Sequence, residues 1–323
     1  MGTIEKFIYL CPHKIYMVYH EIRKVNGKKQ NYLVFNKRDK DTGKWIKKSK
    51  FIGNGEITKK EINRLKNQFE IELKLKQKYN YLTKNQVKKI EELKNTFNKK
   101  IKALDKEEYV EFEKSFFTEL TYNSNAIEGN TLTLDETSLI LNENLLPEGK
   151  TLREVYEARN LKRALIYLKN YKGEISELLI LRLHRIFLQD ISNKFAGRYR
   201  DNPVRIFGSN VKFPDAHLIP QLIKNLIYWY NDNKKKLHAF ELAIIFSMKL
   251  VTIHPFIDGN GRISRLVMNY ILQKNNYPWI NVYNKQRAKY LKAVRKANDE
   301  DYSLILELLI NNLEENLKDF NII

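Results

Sequence analysis

The sequence predicts a mainly α protein preceded by a small, basic α/β domain. Apolar residues recur at helical spacing through most of residues 58 to 310, whereas alternating β-branched and aromatic residues are confined to the first fifty or so. Charge divides the same way: residues 1 to 100 hold 26 Lys and Arg against 10 Asp and Glu, the remaining chain 32 against 28. Of the formal net charge of +20, the first hundred residues therefore carry +16. With 323 residues and 43% hydrophobic content, the chain can build a real core and more than one domain.

Three β-like segments open the chain, 7–25, 31–36 and 45–52, joined by Asn26-Gly27-Lys28-Lys29 and by Asp39-Lys40-Asp41-Thr42-Gly43. They predict a basic β-meander domain over 1–58. A helix over 58–78 and a lysine-rich helical stretch over 84–104 form a basic helical linker, 59–104. Basic strands interleaved with Tyr, Trp and Phe suit nucleic acid, and suit equally a solvated sheet face or a docking surface. A further helical run, 109–122, ends in Ser124-Asn125-Ala126-Ile127-Glu128-Gly129-Asn130. By itself that ending reads as a helix closed by a Glu-Gly C-cap.

Between 195 and 220, three prolines and two glycines rule out a long helix. The short β-capable runs Val204–Phe207 and Val211–Phe213, around Gly208-Ser209-Asn210, predict a hairpin with Val204, Ile206, Phe207 and Val211 in its strands. His184, within Leu181–Phe187, reads as a satisfied helix histidine.

Residues 254 to 265 run His-Pro-Phe-Ile-Asp-Gly-Asn-Gly-Arg-Ile-Ser-Arg. Apolar residues at helical spacing precede them from Phe240 to Ile253 and resume at Ile263, Leu266, Val267, Tyr270 and Ile271, so the pattern is helix, tight loop, helix. Glycines at 259 and 261 keep side chains away from a ligand and let backbone N–H groups converge on an anion at the second helix's N-terminus. Arg262 and Arg265, three apart, share one helix face and can grip one polyphosphate. His254 is a candidate base and Asp258 a candidate metal ligand; singly, each also fits a bland role, a helix-end histidine or a turn-forming aspartate.

This string resembles the signature of the Fic family, His-x-Phe-x-Asp/Glu-Gly-Asn-Gly-Arg-x-x-Arg, at every specified position. The resemblance implies a helical bundle with a β-hairpin flap over 105–323 and transfer of AMP from ATP to a hydroxyl of a protein. It makes His254 the base for the acceptor hydroxyl and Asp258 a Mg²⁺ ligand. The amides of Gly259, Asn260 and Gly261 would hold phosphate oxygens, and Arg262 and Arg265 the β- and γ-phosphates. Ser124 to Glu128-Gly129 resembles the family's inhibitory motif, whose glutamate pairs with the signature's second arginine, here Arg265, and blocks the γ-phosphate site. The 204–213 hairpin resembles the flap that docks the target by main-chain pairing. Tyr290 and Asn298 fall where relatives contact adenine; a core aromatic and a helix terminator are the bland readings.

The implied partners are ATP, an unidentified target protein, the chain itself as acceptor, a second copy in a homodimer, and nucleic acid through the basic third. The same site run in reverse, with Glu128 orienting a water, would release AMP from a modified protein. A reading from another class makes the chain a nucleic-acid-binding regulator with a secondary Fic module. Family members also transfer UMP or phosphocholine; the Gly-Asn-Gly-Arg loop with both arginines favours a triphosphate donor. The single cysteine, Cys11, forbids an intrachain disulfide and points to a reducing compartment. No apolar run is long enough for a signal peptide or membrane span, so the expected location is the cytoplasm.

Overall fold

Two residues, Asn26 and Gly27, separate the first two strands, because Val25 already pairs with Lys28. Gly27 takes φ +77°, the positive value that a two-residue hairpin turn demands. The join is thus half as long as the four-residue turn expected from sequence, and both flanking lysines belong to the ladder. The computed structural model describes residues 16–25, 27–38, 45–76, 81–204 and 213–322. Strands β1 (Tyr16–Val25), β2 (Lys28–Arg38) and β3 (Trp45–Asn54) form an antiparallel meander in the order β1-β2-β3. The expected strand over 7–15 and the 39–43 turn lie outside the described residues.

Helix α1 (Lys59–Lys76) covers this sheet, and Val18, Leu33, Phe35 and Phe69 make a small core flanked by Ile52 and Leu65. Buried Asn31 is satisfied: its amide donates to the carbonyls of Gly53 and Gly55, and its Oδ1 meets His20 Nε2 at 2.9 Å. Contacts divide the chain at Lys84/Asn85, so the stretch 59–104 is shared: α1 lies in the first unit and nearly all of α2 (Lys84–Ala103) in the second.

The second unit is helical. Its helices begin where short polar side chains can cap them. Asp105 with Glu108 starts α3 (Lys106–Ala126), Thr133 with Glu136 starts α4 (Leu134–Ser138), and Thr151 with Glu154 starts α5 (Leu152–Asn170). In each, the cap side chain accepts from the third helical N–H while the glutamate reaches back to the cap's own N–H. A π-helical turn (Leu139–Glu143) extends α4. Then come α6 (Glu177–Leu188), α7 (Ile219–Asn233), α8 (Ala239–Ile253), α9 (Asn260–Lys274), α10 (Arg287–Asn298) and α11 (Ser303–Asp319).

Helix α8 is apolar on all sides and accordingly buried, with Phe240, Ile244, Ile245, Phe246 and Leu250 all at the centre. It packs along α9, and the loop 254–259 joins the two. No described helix is long and apolar enough to cross a membrane.

Candidate functional site

His254 ends α8 in the left-handed region (φ +51°), and Gly259 opens α9 at φ +81°. The loop between them is pinned from inside. Asn260 clamps it by accepting from Phe256 N (2.9 Å) and donating to Phe256 O (2.8 Å), while the Phe256 ring is fully buried. The Asn260 side chain is therefore consumed by the loop, which leaves its backbone N–H among the first-turn N–H groups of α9 that have no intrahelical acceptors.

His184 holds the loop from α6. Its Nδ1 accepts from Gly197 N (3.1 Å), which puts the proton on Nε2, and Nε2 lies 3.1 Å from Asp258 O. Its ring stacks on Phe256 at 3.7 Å. Burial lowers its pKa to about 4, so it is a neutral, fully partnered helix histidine. A Cβ at residue 259 would meet Phe187 at 3.1 Å, which together with the positive φ explains the glycine.

The His254 ring stacks on Phe213 at 3.9 Å, and Nδ1 lies 3.3 Å from the Val251 carbonyl. A carbonyl can only accept, so Nδ1 carries the hydrogen and the Nε2 lone pair is left to take a proton. Burial first, and Arg200 further, drive the His254 pKa down to about 4. Arg200 is itself a buried clamp. Its N–H donates to Pro255 O (2.9 Å), Nε to His254 O (2.8 Å), Nη1 to Asn202 O (3.0 Å) and Nη2 to Pro214 O (2.6 Å).

Asp258 uses its two oxygens differently. Oδ1 accepts from Gly259 N (2.6 Å) and from Arg262 Nη2 (2.9 Å); Oδ2 meets Arg153 Nη2 at 2.5 Å. Burial alone would raise its pKa, but Arg262, the Gly259 amide and Arg153 reverse the shift and hold the carboxyl below its ordinary value. Among the described residues, no three His, Cys, Asp or Glu are grouped to hold a metal by themselves. One accessible carboxylate oxygen nevertheless suits Mg²⁺, which commonly takes one or two carboxylates and completes its shell with phosphates and water.

Arg262, 4% exposed, pairs with Glu157 (3.2 Å) as well as Asp258, and its guanidinium lies 4.4 Å from the centre of the Phe187 ring. Arg265, also 4% exposed by residue, donates from Nε to Ser124 Oγ (3.0 Å) and from Nη2 to Ser124 O (2.8 Å) and Glu128 Oε1 (2.9 Å). The Glu128 side chain is 33% exposed. Burial opposes its ionisation, yet Arg265 and Arg262 outweigh that and lower its pKa. A Cβ at residue 261 would come within 2.1 Å of Glu128 Oε1. Gly261 is what lets the carboxylate sit on the first turn of α9.

Helix α3 and the residues just after it thus bring Ser124 and Glu128 onto Arg265 from 137 or more residues upstream. The segment is fixed at both sides: Arg287 Nε donates to Ile127 O (2.7 Å), and Asn130 Nδ2 donates to Glu157 (3.0 Å). Tyr290 is buried beside Arg265. It is 3% exposed with its ring centre 5.8 Å from the Arg265 guanidinium, so it presents no open face to a base here. Asn298 accepts from Thr252 Oγ1 (2.7 Å), which ties the end of α10 to the turn before His254. Of the hairpin residues, Val204 is exposed to an intermediate degree, while Ile206, Phe207 and Val211 lie outside the described residues. Sequence reasoning passed over Arg153 and Glu157. Their only local signal is membership of α5's first turns, far from the signature.

A family model described as Fic/DOC family matches residues 174–272. The chain is 34% identical over 200 residues to Protein adenylyltransferase Fic of Drosophila virilis, covering 61% of this chain and 41% of that one. It is 35% identical over 201 residues to the protein of the same name from Drosophila persimilis, covering 61% and 39%. The chain therefore spans about two fifths of the length of these curated relatives. Among solved structures it is similar to Fic-1 (aa134–508) from C. elegans, with TM-score 0.65 and 27% identity over 73% of this chain and 72% of that chain. It is likewise similar to a Fic domain containing signaling protein from Bacteroides thetaiotaomicron, with TM-score 0.65 and 26% identity over 71% and 94%. Motif, helical architecture and family model point the same way: residues 174–272 are similar to the Fic/DOC family.

Proposed function

We propose that this chain is a protein adenylyltransferase, moving AMP from ATP to a protein hydroxyl, and that it rests in a self-inhibited state. The observation that carries the second half is the Glu128–Arg265 pair, seated against a glycine that a single methyl group would disrupt. The first half is supported by the relatives' name and by the loop chemistry. Neutral His254, with Nε2 unprotonated, takes the proton of the acceptor hydroxyl. The hydroxyl oxygen forms a bond to the α-phosphorus as the bond from that phosphorus to the bridging oxygen breaks, and pyrophosphate leaves. The α9 amides, Arg262 and Arg265 stabilise the charge that gathers on phosphate oxygens. A divalent cation held by Asp258 Oδ2 and the nucleotide would neutralise phosphate charge.

Glu128 blocks this by neutralising Arg265, and Asn130 to Glu157 links the same segment to Arg262. The test is incubation with α-labelled ATP, Mg²⁺ and candidate acceptors, the chain itself included, followed by mass spectrometry for an added AMP. Glu128→Gly should label more than the natural chain, and Arg265→Ala should cancel the gain. A Glu128→Gly variant that instead loses the ability to remove AMP from a modified protein would transfer the case to the reverse reaction. Retention of random DNA without any labelling would favour the nucleic-acid-binding regulator.

A further inference from the structure

We infer that Arg153 is a resident cation on the metal-binding oxygen of Asp258, one that a divalent ion must displace before the nucleotide site is complete. This rests on the reading of Asp258 as a metal ligand. Oδ1 of Asp258 is committed to the fold, since it accepts from Gly259 N and Arg262 and so orders the start of α9. Oδ2 is the oxygen left for a ligand, and Arg153 Nη2 stands on it at 2.5 Å. The contact is a charge-assisted hydrogen bond, the strong kind, made by a side chain that is otherwise 59% exposed and therefore free to swing aside.

Helix stability does not explain this arginine. Arg153 occupies the first turn of α5, where the helix dipole disfavours a positive charge and where the neighbouring Glu154 serves the capping box. What it does have is two acidic partners: Glu157 through Nε at 3.2 Å and Asp258 through Nη2. Arg262 bridges the same two carboxylates, at 3.2 and 2.9 Å. The four side chains close a ring of alternating charge that leaves no net attraction for a cation at Asp258. Arg262 is buried and belongs to α9. Arg153 is the member that can leave, and its removal would restore one net negative charge facing the nucleotide site.

The test measures binding rather than turnover. ADP affinity is determined by calorimetry on the full chain, in EDTA and again in saturating Mg²⁺, for the natural protein and for Arg153→Gln. The ratio of the two dissociation constants reports how much the metal helps. Loss of a largely exposed competing ion pair should raise that ratio about three- to fivefold, with ADP in Mg²⁺ bound more tightly than by the natural protein. Arg153→Lys, which keeps the charge on a shorter stem, should fall between the two. Equal ratios above one in all three proteins would overturn the proposal. Weaker ADP binding by Arg153→Gln in both EDTA and Mg²⁺, with no rise in the ratio, would overturn it differently, making Arg153 a phosphate ligand. A ratio of one in every protein would instead sink the Asp258 metal assignment beneath it. Arg262 still spans Glu157 and Asp258 in these variants, so the loop should stay folded, and a thermal melt alongside each titration checks that it does.

Discussion

Replacing Glu128 by glycine removes one charged hydrogen bond from a buried guanidinium that keeps two others, to Ser124 Oγ and Ser124 O. A hydrogen bond to a charged group contributes about 1.5–3 kcal/mol. Because the Glu128 side chain is a third exposed, solvent screening lowers the figure to about 1–2 kcal/mol. In a helical unit of this size each kcal/mol moves the melting point by about 2–4 °C, so the ligand-free variant should melt about 2–8 °C lower. The same free energy no longer opposes the nucleotide, and ATP should bind about five- to thirtyfold more tightly in Mg²⁺. Calorimetric melting without ligand and ATP titration of the two proteins read both numbers from one preparation. Arg265→Ala should abolish the affinity gain, and the double variant should match Arg265→Ala alone, as expected for residues acting on one step. A melting point that falls while ATP affinity stays within twofold would refute the reasoning and leave Glu128 as a helix-end residue.

Gly261→Ala should lower the ligand-free melting point by a similar amount without touching any charge, since its Cβ would displace the Glu128 carboxylate, and the two substitutions together should be less than additive in the same melts. His254→Ala should cut AMP transfer by about a hundred- to ten-thousandfold with ATP affinity nearly unchanged, measured in the Glu128→Gly background. In that background the acid limb of kcat/KM should fall near pH 4 and not near 6.5, because His254 is held neutral down to about 4. Glu119 is pushed up to about 7, by burial first and then by Asp319, with Glu315 adding to it. The folded state therefore binds a proton that the unfolded state has released, so its contribution is full below about 4.5 and lost as pH rises towards 7. Glu119→Gln should raise the melting point at pH 8 and leave it unchanged at pH 4.

The parts of the site legible in the sequence are those whose chemistry is local. His254 through Arg265 can be read because loop, glycines and helix face are adjacent in the chain, and α8 because a fifteen-residue run with only Glu241 and Lys249 charged has to be largely buried. Ser124 and Glu128 were legible only as a motif; nothing local says that α3 ends against α9. Arg153 and Glu157 could not be read at all, since an arginine and a glutamate four apart on a helix resemble any exposed pair. Tyr290 shows the converse case. Its spacing suits both a base-stacking and a core position, and the side on which α10 packs, which sequence does not carry, turned it to Arg265. The join expected over residues 26–29 is shorter in the structure because Lys28 and Lys29 pair in the ladder, and where backbone pairing begins is not carried by residue type.

Arg200 has a consequence for how a site of this kind could change what it meets. One guanidinium fastens Asn202 and Pro214, the two ends of the stretch expected to meet an acceptor, to the backbone of the histidine that would deprotonate it. Recognition and reaction are thereby keyed to a common datum. The sequence between those ends can diverge, or be exchanged by design, without recalibrating the distance to the reactive nitrogen, while loss of the single arginine would decouple which protein is met from where its hydroxyl arrives.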